Sequence, residues 1–123
     1  MPERPNVTVY VVDDEEVITF TLAEILNRSD FHALAFTSAK EALIAAGSEA
    51  PDLLITDVNM PEMNGIDFAI QVKSSYPNCK ILLFTGHVNA AGLLEAARIK
   101  GHEFHILSKP VSPRDLLAAI KRL

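Results

Sequence analysis

A chain of 123 residues, 49% apolar and 22% charged, has the size and composition of one globular domain and is too short for two independent cores. Eleven basic against sixteen acidic residues give a formal charge of -5, which disfavours non-specific binding of the domain to nucleic acid or an anionic membrane. Cys79 is the single cysteine, so internal disulfides and cysteine-rich metal sites are excluded, and a reducing, cytoplasmic setting is expected.

The opening segment MPERPNVTVYVV has too short an apolar stretch for a secretory signal, and no run approaches the length of a membrane span. Val7 to Val12 is a β-branched apolar run that stops at Asp13-Asp14-Glu15 and reads as a strand. Ile18, Leu22, Ile25 and Leu26 then recur at helical spacing, which predicts a helix from about Glu16 to Ser29. A strand is expected over His32 to Phe36, followed by a short helix through Ala46. Ser38 with Glu41 three residues later forms the capping-box pattern that opens it.

Asp52 to Thr56 is the third strand, ending at Asp57, and Pro61 keeps the next segment in a loop until Gly65 opens a helix through about Ser75. Tyr76-Pro77-Asn78 breaks that helix. Lys80 to Thr85 is the fourth strand, followed by Gly86. A helix over Ala90 to Lys100 is expected to be capped by Gly101. Phe104 to Leu107 is a short fifth strand before Lys109-Pro110, and Ser112-Pro113 begins a last helix with Leu116, Leu117 and Ile120 on one face. Strands that alternate with helices and read as continuous apolar runs predict an α/β fold around a parallel sheet covered on both faces. The last helix reaches the end of the sequence, so a single domain over residues 1–123 is expected, with no output domain.

The strands stop at chemically related places. The first ends at Asp13 and Asp14, the third at Asp57, the fourth at Thr85 and the fifth at Lys109. In a parallel sheet these ends share the carboxyl edge, where such folds place their sites. Three carboxylates on one rim repel each other unless neutralised, and a hard divalent cation such as Mg²⁺ suits oxygen ligands. Lys109 would offset further charge. The four histidines show no compact ligand arrangement for zinc, and neither a Walker-type loop nor a dinucleotide glycine fingerprint is present. A carboxylate can attack phosphorus, with a metal and a lysine holding the phosphoryl oxygens and a hydroxyl donating to them. Asp57 is the better nucleophile, because it ends the central strand and leads into a loop. Asp13 and Asp14, being adjacent, suit a shared role around the metal.

The acidic pair Asp13-Asp14, the segment DLLITDVNMPEMNG around Asp57, Thr85-Gly86 and Lys109-Pro110, in that order, resemble the receiver domain of two-component response regulators over essentially the whole chain. The resemblance implies a flavodoxin-like, doubly wound sheet of order 2-1-3-4-5. It implies that Asp57 accepts a phosphoryl group from a phosphohistidine on a sensor kinase or phosphotransfer protein. Mg²⁺, with Mn²⁺ as a substitute, would be held by Asp14 and Asp57, with help from Asp13 and the backbone carbonyl of Asn59. Lys109 would pair with the phosphoryl group, Thr85 would follow it inward, and the small Gly86 would leave access to the site. Autodephosphorylation would reset the state, tuned by the side chains of Asn59 and His87. Pro110 would follow a cis bond.

The resemblance also implies a message carried by the face of the fourth helix, fifth strand and fifth helix, with Leu93, Leu94, Arg98, His105 and Arg114 as candidates. Its recipient would be a downstream protein or an output domain outside this sequence, and a homodimer through the last helices stays open. One position departs from the family. An aromatic residue is usual three residues before the lysine, and this chain has Ile106 there. The phosphate-handling residues are all kept, so the chemistry is expected to survive and the readout to run differently, through Ile106, His105 or another surface. Two other readings compete: a metal-dependent phosphotransferase or phosphatase acting on small molecules, and a degenerate receiver that binds partners without phosphorylation.

Overall fold

The computed structural model describes residues 7–61, 63–86, 90–102 and 104–123. Five strands, β1 (Thr8–Val12), β2 (His32–Phe36), β3 (Leu53–Asp57), β4 (Lys80–Thr85) and β5 (His105–Ser108), alternate with five helices, α1 (Glu16–Arg28), α2 (Ala39–Ala46), α3 (Gly65–Ser75), α4 (Ala90–Ile99) and α5 (Pro113–Lys121). The strands form one parallel sheet of order β2-β1-β3-β4-β5. This is the expected doubly wound topology, in which each crossover carries a helix.

β1 and β3 are buried at every position, which explains why their sequences read as unbroken apolar runs. Successive side chains supply opposite layers. Tyr10, Val12, Leu54 and Leu83 pack with Ala42 of α2, Phe68, Ala69 and Val72 of α3 and Ala97 of α4. Val9, Val11, Ile55, Leu82 and Phe84 pack with Leu22 and Leu26 of α1 and Leu116 and Ala119 of α5. Each buried Leu, Ile, Val or Phe contributes roughly 1.5–3 kcal/mol relative to exposure, so the two layers hold the sheet rigid beneath its rim.

The helix ends follow from local chemistry. Ser38, Asn64 and Ser112 accept a backbone N–H from the third residue onward, Glu41, Asp67 and Asp115 respectively. Gly101 takes φ 93°, and the amides of Gly101 and His102 donate back to the carbonyls of Arg98 and Ala97 at 2.9 Å, the bonding of a Schellman cap on α4. After α1, Asp30 takes φ 71°, and the Phe31 amide donates back to the Leu26 carbonyl at 3.1 Å.

Boundaries differ from the sequence reading by a residue in several elements, at the start of β1 (Thr8) and the end of α4 (Ile99) among them, and two shifts bear on the site. β3 includes Asp57, because its Cα pairs with Phe84 of β4. β5 is shifted one residue, to His105–Ser108, because Thr85 pairs with Ser108, and Phe104 instead packs against the α2–α4 layer and stacks on His102. No helix among the described residues is long and apolar enough to cross a membrane.

Candidate phosphoryl-transfer site

The sheet brings Asp13, Asp14 and Asp57 together at its carboxyl edge, with carboxylate oxygens within 4.8 Å of one another. Asp13 follows β1 directly and is fully buried. Asp57 ends β3 and is 4% exposed. Asp14 is exposed. The Glu15 amide donates to Asp13 Oδ1 at 2.9 Å, and the Asn59 amide donates to Asp57 Oδ1 at 3.2 Å. Both carboxylates are therefore oriented by backbone two residues downstream, the local bonding that Asp favours at a turn.

Lys109 reaches this rim from the end of β5. Its Nζ donates to Asp13 Oδ2 at 2.9 Å and lies 3.3 Å from Asp57 Oδ2. Its amide donates to the Thr85 carbonyl at 2.8 Å, and a cis bond joins it to Pro110, as the resemblance implied. Thr85 is buried at the end of β4. At Gly86 an added Cβ would stand 3.8 Å from Lys109 Cβ and Cδ, ordinary contact, and among the described residues nothing comes nearer.

Among the described residues one ammonium shares the rim with three carboxylates, and the protonation energetics reflect that imbalance. Burial pushes the Asp57 carboxyl up; the Asn59 amide and Lys109 pull it back, and Asp13 adds to the rise. Desolvation, the hydrogen bond with Asp13 and the charges of Asp13 and Asp57 push Asp14 up, although water screens an exposed side chain of this kind. Burial would lower the Lys109 value, but the Asp13 hydrogen bond and the charges of Asp57 and Asp13 outweigh it, and the lysine is held above its ordinary range as a cation. The donor set consists of hard oxygens, two of the carboxylates are withdrawn from solvent, and the rim keeps excess negative charge. These features fit a hard divalent cation such as Mg²⁺.

Asp13, Asp14, Asp57, Thr85, Gly86 and Lys109 thus share the rim. Asn59 is exposed and meets Asp57 through its amide. Ile106 is 39% exposed on the edge strand β5, beside the exposed His105, so no aromatic ring stands at that position. His87 and the side chains of Leu93 and Leu94 lie outside the described residues. Cys79 is buried, and burial pushes its thiol up to about 11, which suits a packing residue and not a reactive one.

Two contributors were not among the sequence candidates. Gly65 was read as the start of a helix and as the last residue of the family-matching segment, without a part of its own in the site. A Cβ there would lie 1.9 Å from the Asp57 carbonyl oxygen, so the glycine lets α3 close against the end of β3. Phe84 was read only as a strand residue, yet the Lys109 ammonium sits 5.1 Å from its ring centroid. The close approach had a signal in the glycine itself. The aromatic contact had none, since any apolar residue satisfies that strand position.

The family model described as "Response regulator receiver domain" matches residues 9–121. The DNA-binding transcriptional regulator NtrC of Proteus hauseri is 32% identical over 93% of this chain and 24% of its own length. The chemotaxis protein CheY of Thermotoga maritima is 28% identical over 94% of this chain and 95% of its own. The crystal structure of Vibrio cholerae CheY4 at low pH superposes with a TM-score of 0.86 at 28% identity, covering 96% of this chain and 98% of that one. The chain thus spans about a quarter of the length of NtrC and nearly all of CheY. With its fold, strand order and matched span in agreement, the chain belongs to the response regulator receiver domain family, the receiving module of two-component signal transduction.

Proposed function

We propose that Asp57 is the phosphoacceptor of this receiver, taking a phosphoryl group from a phosphohistidine on a sensor histidine kinase or phosphotransfer protein. The observation that carries the reading is the buried Asp57 carboxylate, 3.3 Å from the Lys109 ammonium and within one cluster with Asp13 and Asp14. An Asp57 oxygen forms a bond to phosphorus as the donor's N–P bond breaks, and the leaving imidazole keeps that electron pair. Asp13, Asp14, Asp57 and the Asn59 carbonyl would hold Mg²⁺ or Mn²⁺, which when bound supplies positive charge opposite the phosphoryl oxygens. Lys109 carries a second positive charge to those oxygens, and the Thr85 hydroxyl donates to one of them.

Reset follows when water attacks phosphorus, releasing phosphate and regenerating the Asp57 carboxylate, with the side chains at Asn59 and His87 setting the rate. Added charge on Asp57 shifts an equilibrium between two surfaces. The α4–β5–α5 face carries the result, through Ile106, His105, Arg98, Arg114, Leu93 and Leu94. The recipient is a downstream protein or an output domain, in a cytoplasmic pathway.

The test is intact-mass analysis after incubation with phosphoramidate or acetyl phosphate and Mg²⁺, beside Asp57→Asn. One phosphoryl adduct is expected that needs Mg²⁺ and is absent from the variant. An adduct retained in Asp57→Asn, or none in the folded wild type with either small donor or a phosphohistidine protein, overturns the assignment.

A further inference from the structure

Lys109 has a neighbour that charge balance does not require. Besides Asp13 and Asp57, its ammonium lies 5.1 Å from the centroid of the Phe84 ring, within the range of an attractive cation–π contact. Phe84 is 1% exposed and belongs to the layer formed with α1 and α5. Leucine would fill that part of the core; only an aromatic side chain adds a face of negative potential. The lysine is further held by neighbouring residues of the same strand end. Its amide donates to the Thr85 carbonyl, and its stem passes beside Gly86, in ordinary contact with the place a Cβ would take.

The lysine also has somewhere else to go. A cavity of about 440 Å³ opens between α1 and the loop after β5, lined by Val17, Ile18, Leu22, Phe84, Pro110 and Val111 as well as Lys109 itself. The Lys109 side chain is 20% exposed, and its four-carbon stem is flexible. Carboxylates alone would hold it unevenly through the reaction. As the acyl phosphate forms, the negative charge of Asp57 moves outward onto the phosphoryl oxygens, while Asp13, at 2.9 Å, keeps pulling the ammonium toward β1. The attraction of the ring does not depend on that transfer of charge.

We infer that Phe84 is a positioning residue for phosphoryl transfer, its ring face holding the Lys109 ammonium at the rim between Asp13 and Asp57. This rests on Asp57 being the phosphoacceptor. A contact of this kind at a partly buried site corresponds to about a 3- to 10-fold effect on rate.

The test uses the full chain with Phe84 replaced by 4-fluoro-, 3,5-difluoro- and 3,4,5-trifluorophenylalanine, which weaken the ring's negative face while nearly keeping its shape, together with Phe84→Leu. The first readout is the NMR shift of the Lys109 ε-methylene protons in metal-free protein without phosphodonor. An upfield ring-current displacement is expected in the wild type and absent in Phe84→Leu. The second is the rate of Mg²⁺-dependent phosphorylation by phosphoramidate, expected to fall stepwise along the fluorinated series and about 3- to 10-fold in Phe84→Leu. A flat rate across the fluorinated series overturns the inference, and so does an ε-methylene shift indifferent to Phe84→Leu. Loss of rate in Phe84→Leu alone assigns the residue to packing and likewise overturns it. If wild type gives no adduct, or Asp57→Asn keeps one, the acceptor assignment fails and the positioning role falls with it; the NMR shift then reports the contact alone.

Discussion

Adding one methyl group at Gly65 tests how the end of β3 is held beside Asp57. A Cβ at this position would lie 1.9 Å from the Asp57 carbonyl oxygen, 2.8 Å from the Asp57 carbonyl carbon and 2.9 Å from Val58 Cα, all backbone atoms that no rotamer change can move. Reaching ordinary contact means separating the start of α3 from the end of β3 by about 1.5 Å, against a hydrogen bond from the Gly65 amide to the Val58 carbonyl at 2.7 Å. Overpacking of this kind costs about 1–3 kcal/mol and the strained hydrogen bond about 1 kcal/mol. Alanine returns roughly 0.4–1 kcal/mol by stiffening the unfolded chain. Gly65→Ala is therefore expected to lose about 1–3 kcal/mol in urea denaturation. Its phosphorylation should slow about 10- to 100-fold, because the displaced carbonyl belongs to Asp57 itself. Gly92→Ala is the control: among the described residues nothing lies within 4 Å of its added Cβ in α4, so it should gain roughly 1 kcal/mol. A Gly65→Ala protein as stable as wild type and phosphorylated at the same rate would refute the close-approach argument.

Other expectations follow from the charges and the caps. Asp57 has its folded value raised above 3.8, so in metal-free protein the folded state binds the extra proton, and stability falls as pH rises from about 3.8 through the raised value. Asp57→Asn should consequently match wild type near pH 3 and exceed it at pH 7, with Mg²⁺ narrowing the gap; urea midpoints across pH that stay parallel would contradict this. Lys109→Ala leaves the buried Asp13 without its ammonium and should cost about 2 kcal/mol at neutral pH, read by denaturation without metal, while also abolishing most phosphorylation by small donors. Asp30→Gly relieves a left-handed residue at φ 71° and should raise stability by about 0.5–1 kcal/mol, a rise of roughly 3–5 °C in Tm; an unchanged or lower Tm would show that Asp30 is not strained there.

The fold and the rim were legible because both are written in residue types. Buried parallel strands must be apolar runs, so VTVYVV, DLLIT and KILLFT mark β1, β3 and β4 directly, and Asp13, Asp57 and Thr85, after or at the end of those runs, mark their carboxyl ends. Asp13, Asp14, Asp57, Thr85 and Lys109 could be placed together before any coordinates because parallel strands put like ends side by side. What escaped is set by interatomic approach. The offset of β5 depends on Thr85 pairing with Ser108, which a short, exposed edge strand does not encode in its hydrophobicity. The Asn59 amide bond to Asp57 is a backbone contact and independent of the side chain at 59. Phe84 beneath Lys109 joins a residue of β4 to the residue that follows β5, and in one dimension its ring is indistinguishable from any other core filler.

The division of helices between the two layers has a consequence for how the domain assembles. α2, α3 and α4 cover one face and follow each other along the chain. The other face joins α1 to α5, helices from opposite ends of the sequence. On a ribosome that releases the chain from its N-terminus, the first layer closes once α4 has emerged, whereas Val9, Val11, Leu82 and Phe84 wait for Leu116 and Ala119. Such non-local closure is slow and leaves apolar surface open to aggregation in the meantime. Lys109 enters the rim only in that last stage, so a nascent chain would carry its three acids together before it carried the cation that restrains them.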